Sequence, residues 1–233
     1  MDKIRDQKKN LIMLGSFMSL IIFLFGGFYI YKTLNANTNV DKSHIQKDEF
    51  YSIRNNATEL QRDLYEKLNE ALEQNPRDDK LISGLVAQNF VADFYTWSNK
   101  FRLNDVGGVQ FVDENLRVNF YQKAQVTLYE DMFYYLNKGG VKDTLEVDSV
   151  GIEEVKLIDF FIFDEDGEEE VYDEVTEKYR MGDYHEAYSV DVSWTFIESN
   201  KVNVRDYDTN ARIVLMINEK GVPMIVEVSH EEV

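Results

Sequence analysis

Asp159 is the residue most out of keeping with its surroundings. In the segment 155–163, VKLIDFFIF, it shares one side of a two-residue alternation with Val155, Leu157, Phe161 and Phe163. A carboxyl enclosed on such a face is desolvated, which raises its pKa and fits it to act as a general base. On an open sheet margin the same group is an ordinary solvated carboxylate. No partner is placed beside it by the sequence, so the expectation is a margin position and no catalytic residue, with Asp159 as the one candidate. A second feature is aromatic. Val86, Phe90, Phe94, Trp97 and Phe101 recur at steps of four, four, three and four, which puts them on one face of a helix. Phe94, Tyr95 and Trp97 are the candidate lining of a ligand pocket, set against the reading that the stripe is hydrophobic core.

Other chemistry is poorly supplied. The three histidines, His44, His185 and His230, show none of the i, i+4 spacing of a zinc-binding helix, and no metal site or cofactor is expected. The run Asp164-Glu165-Asp166-Gly167-Glu168 has some likeness to a calcium loop, but Ile162 stands where the first carboxylate ligand is needed, so a solvated turn is expected. There is no cysteine, which excludes disulfides, thiolate metal sites and cysteine nucleophiles.

The formal net charge of the 233-residue chain is −18, and its first ten residues carry +2. A domain this acidic repels phosphate backbones, so nucleic acid is not an expected partner. Aromatic residues make up 13% of the chain, enough to build a real core. Residues 11–31, LIMLGSFMSLIIFLFGGFYIY, contain no charged side chain. As a helix they would span roughly 31 Å, the thickness of a bilayer's hydrocarbon core. The run is too long for a signal peptide, and Leu34-Asn35-Ala36 puts leucine where a cleavage site needs a small residue. A single uncleaved membrane helix is therefore expected. The four Lys/Arg before it favour a cytoplasmic tail at 1–10 and an extracytoplasmic domain after it. Gly15 and Ser19 form a small-xxx-small pair, so a homo-oligomer stays open.

Behind the anchor, 32–49 is polar and reads as a flexible linker, and 50–76 as an amphipathic helix stopped by Asn75-Pro76. A helix capped by Asp78 or Asp79 follows at about 80–100, and another capped by Asp113 at about 113–138, ended by Gly139-Gly140. The latter helix has two apolar stripes, so one side of it could meet a partner. A short strand at 109–112 is expected between these helices. The period then changes to two. Residues 155–163, apolar on both faces, read as a central strand. Residues 188–196 read as a half-buried strand, and 213–217 and 222–228 as a hairpin. From Asp164 to Glu186 eleven acids face Lys178 and Arg180, which suggests an exposed edge or loop, or a dock for a basic partner.

Anchor, linker, three helices and a run of antiparallel strands is an order that resembles the cystatin-like, nuclear-transport-factor-like cone superfold. The likeness is carried by the 90–101 helix, the Gly107-Gly108 turn, the 116–136 helix and the 213–228 hairpin. It implies an α+β domain at 79–233, with helices packed on a curved, mainly antiparallel sheet. Membrane-anchored members include the bitopic scaffold proteins of type IV secretion and conjugation machines. The resemblance thus implies a non-enzymatic, single-pass envelope protein that binds or organises other proteins. The same superfold hosts ligand binders and isomerases, so a tethered domain with an aromatic pocket is the alternative, and an envelope sensor a third.

Overall fold

The computed structural model describes residues 46–47, 50–102, 104–164, 166–173 and 177–230. The expected membrane span and most of the expected linker lie outside these residues. Among the described residues no helix is long and apolar enough to cross a membrane.

The first helix, α1 (Glu59–Leu72), starts at a capping box: Thr58 accepts from the Gln61 N–H while the Gln61 side chain accepts from the Thr58 N–H. It is therefore shorter than the 50–76 expected. Phe50 and Ile53 fit the helical spacing, yet Ser52–Ile53 (β2) pair with Gln46–Lys47 (β1). The Gln110 side chain holds that pair from the side, accepting from Ser52 and donating to its carbonyl. Asp78 caps α2 (Asp79–Phe94), accepting from the Leu81 N–H. This helix ends at Phe94 rather than near residue 100, so Trp97 reaches the core from a loop and Phe101 points outward, 72% exposed.

The expected long third helix is two helices, α3 (Arg117–Gln125) and α4 (Leu128–Asn137). The break falls at Thr127, whose hydroxyl donates to the Lys123 carbonyl and competes with the backbone for it. Asp113 caps a turn one step earlier, accepting from the Asn115 N–H. The expected strand at 109–112 is a 3-10 turn followed by a single parallel bridge from Val112 to Ile225.

Five strands form the sheet: β3 (Val147–Phe163), β4 (Glu169–Asp173), β5 (Lys178–Phe196), β6 (Asn210–Ile217) and β7 (Pro223–Ser229). Their order is β3-β5-β6-β7, all antiparallel, with β4 paired to the start of β5. Among the described residues the chain is thus α+β, four helices on a mostly antiparallel sheet. The strand expected to be central, 155–163, has one strand neighbour among the described residues, β5.

The core lies between the helices and the sheet, built around Phe90, Trp97, Tyr129, Leu145, Ile213 and Leu215. Helix α1 belongs to it, with Tyr65 and Leu68 buried. The Tyr51 hydroxyl donates to the Pro223 carbonyl at 2.8 Å, and the Asn89 amide to the Leu64 carbonyl at 2.9 Å. The domain therefore begins ahead of residue 79, and a fragment starting there would leave this core open.

Candidate functional site

Three places gather residues that could act on something else. The first is a buried ionic cluster that the sequence did not announce. Lys100 has no exposed side-chain surface, and its ammonium donates to Asp93 Oδ1 at 2.7 Å, to the Asp93 carbonyl at 3.0 Å and to Asn99 Oδ1 at 3.2 Å. Arg54 reaches Asp93 at 3.6 Å and also pairs with Asp105. Burial alone would push the Asp93 carboxyl up. Lys100, Arg54 and the Gly108 N–H together outweigh it and hold the carboxyl at about 2. Burial drives the Lys100 ammonium down, and Asp93 recovers only part of that. Gly108 takes its place here with φ +73°, and a Cβ on it would come within 2.7 Å of the Phe90 ring. Arg54, Asp93 and Asp105 border a cavity of about 350 Å³. Their hydrogen bonds tie β2, α2 and the 105–108 loop together, so the cluster works as an internal clamp. Nothing in the spacing could have revealed it, because Arg54 and Asp105 come from loops.

Tyr129 finishes the clamp. Its hydroxyl accepts from the Gly107 N–H at 2.8 Å and donates to the Phe94 carbonyl at 2.7 Å. Tyr129→Phe should cost about 1–3 kcal/mol, because a buried N–H and a buried carbonyl both lose their partner. Urea denaturation measures it, and an unchanged midpoint would show that the loop does not depend on this hydroxyl.

The second place is a cleft of about 700 Å³ between α3, α4 and β7, lined by Phe94, Tyr95, Phe120, Leu128, Tyr207 and His230, among others. Of the three candidate pocket residues, Phe94 and Tyr95 border it and Trp97 does not. Trp97 is fully buried, edge-on to Tyr207 at 5.3 Å. Tyr95 stacks on Trp194 at 4.4 Å, and its hydroxyl lies 3.3 Å from His230 Nε2. His230 Nδ1 in turn lies 3.1 Å from the Asn210 carbonyl and 3.6 Å from Asp208. Burial, then the Asp208 charge, raises the Tyr95 hydroxyl's pKa well above its usual value. His230 was visible only as one of three unpaired histidines. Among the described residues no three His, Cys, Asp or Glu side chains are placed to share a metal.

The third place is a ribbon. Strand β6 pairs with residues 188–193 of β5, yet β5 starts at Lys178. Ten residues of β5, roughly 33 Å of strand, run beyond the β6 register, with β3 and β4 as their strand partners among the described residues. The β3 side chains along it are apolar on both faces, Asp159 apart. On one, Phe161 meets Phe163 at 5.1 Å and Tyr184 at 5.0 Å. On the ribbon's β4 part Tyr172 meets Tyr179 at 5.2 Å. Tyr179 is 67% exposed, Leu157 59% and Tyr184 56%. The 164–168 turn is pressed onto β5 by two glycines: a Cβ on Gly167 would sit 2.4 Å from Gly182 Cα. Asp159 lies on this ribbon, exposed and directly across from Glu186. The apolarity on both sides of 155–163 reflects this ribbon and not a strand enclosed by two layers. Comparisons with protein families, with curated proteins and with solved structures give no match to this chain.

Proposed function

We propose that this chain is a membrane-anchored, extracytoplasmic binding domain that organises other proteins and performs no chemistry itself. In this reading the helices and sheet are a cystatin-like cone, and the chain is a single-pass scaffold of the kind found in conjugation and secretion assemblies. The observation that carries it is the ribbon. A monomeric protein rarely exposes so many large apolar side chains close together, and such patches mark surfaces that meet another macromolecule. A photoreactive phenylalanine placed at Tyr179 or Tyr184 in native membranes tests it: protein-sized adducts are expected, and adducts to lipid alone, or none, would remove the support.

The proposed topology follows from the charges flanking residues 11–31. Protease added to intact spheroplasts should digest the domain that follows the anchor. Its full protection would reverse the orientation.

The cleft supports a second reading, a tethered domain holding a small apolar ligand against Phe94 and Phe120, with the Tyr95 hydroxyl as donor. A ligand that co-purifies with the chain and is lost in Phe120→Asp would favour it over the first.

A further inference from the structure

The ribbon carries a flaw that names its partner's chemistry. On one face of β3 and β5 the opposed pairs run Val155 with Val190, Leu157 with Tyr188, Asp159 with Glu186, and Phe161 with Tyr184. Val155 lies under α2, where a Cβ on Gly84 would stand 3.7 Å from it. Beyond that point the face is open to solvent at Leu157 and Tyr184, and two carboxylates sit directly opposite each other between apolar pairs. Like charges so placed, with Cβ atoms about 5 Å apart, repel and weaken the ladder. Neither has an ion-pair partner among the described residues.

Further negative charge surrounds the pair. The Tyr188 hydroxyl has a raised pKa, first from burial and then from Asp79, Glu186 and Asp78, so the start of α2 adds its acids to the same spot. Residues 157–187 hold twelve Asp/Glu against Lys178 and Arg180. Arg180 is already committed, 2.8 Å from Asp173 and stacked over Phe163 at 4.1 Å. Two occupants are disfavoured on charge. A second copy would bring another strongly acidic domain, and an anionic lipid surface would be repelled as well.

We propose that this face receives a basic, apolar segment of another protein, with a Lys or Arg seated between Asp159 and Glu186 and its apolar neighbours on Leu157, Phe161 and Tyr184. The proposal rests on the protein-binding reading above and specifies its partner. A cation at that point relieves the repulsion and gains two charge-assisted hydrogen bonds, while the flanking side chains exclude water from them. The free domain thus holds a local strain that binding removes.

The test uses the full chain in its native membrane, with a photoreactive phenylalanine at Tyr184. The cross-linked segment, identified by mass spectrometry, should contain Lys or Arg flanked by apolar residues. The adduct should fall at least about tenfold in Asp159→Asn/Glu186→Gln, and further in Asp159→Lys/Glu186→Lys. The neutral double variant, melted as detergent-solubilised full chain, should rise by up to about 4 °C, since it removes a repulsion. That rise separates a binding role from a structural one and shows that the variant is folded. An adduct to a second copy or to an acidic segment would overturn the inference, as would one insensitive to the neutral variant. Adducts from Tyr179 but none from Tyr184 would overturn it and leave the protein-binding reading standing. No protein adduct from either position would overturn both.

Discussion

Asp93→Ala should destabilise the domain by about 3–5 kcal/mol, because it leaves the Lys100 ammonium buried with its countercharge removed. The Gly108 N–H would lose its carboxylate at the same time, 2.7 Å away in the native protein. Lys100→Met should cost less, since Asp93 would keep Arg54 and the Gly108 N–H while the apolar stem is retained. Equal costs for the two variants would contradict the clamp. The pH dependence has a definite sign. The Asp93 carboxyl is depressed from an ordinary 3.8 to about 2, so its contribution is fully present above pH 4 and is lost as the pH falls towards 2. Denaturant titrations at pH 7, 4 and 2.5 should therefore show the native protein and Asp93→Ala converging in stability at the acid end. A gap that stays constant would mean that Asp93 is not the titrating group.

Trp97→Ala should be of comparable size, about 3–5 kcal/mol. The ring is fully buried against Tyr207 and Tyr135, and its backbone N–H donates to the Leu145 carbonyl at 2.8 Å, which fixes where the cavity would open. Trp194 is the other tryptophan, so fluorescence still reports unfolding in the variant. A loss below about 1 kcal/mol would mean that the site collapses around the missing ring, or that the indole is not core.

Residues with a single dominant local signal were legible in the sequence. Asp78 as a cap, the turn at Asp164–Gly167 and the hairpin through Gly221 all depend on neighbours within four positions. Helix α1 misled because Phe50 and Ile53 keep a helical spacing while Gln110, nearly sixty residues away, holds Ser52–Ile53 in a strand pair. The 113–138 helix misled for the opposite reason. Its pattern is continuous, and one hydroxyl at Thr127 breaks it. Phe94, from the aromatic stripe, and its neighbour Tyr95 both border the cleft. The burial of Trp97 agrees with the reading of the stripe as core, but nothing in the spacing foretold that the helix would end at Phe94 and Trp97 would reach the core from a loop. The ionic clamp stayed hidden since tertiary packing alone brings Arg54, Asp93, Lys100 and Asp105 together. The ribbon was half visible. Its apolarity on two sides was plain, but whether a second layer or another molecule answers it depends on how far β6 extends.

The hydrogen bond from Tyr51 to Pro223 spans 172 residues of chain. At a synthesis rate of about 5–20 residues per second, the first tyrosine of the core waits some ten seconds or more for the strand that closes it. Until β7 emerges, the Tyr51 hydroxyl has no acceptor and the side of the core that β7 covers stays open, although β3 and β5 already lie against α2. Such a chain ripens late and all at once. Premature stop codons before residue 223 should leave products that proteases clear, so that a nonsense allele near the end behaves as a null.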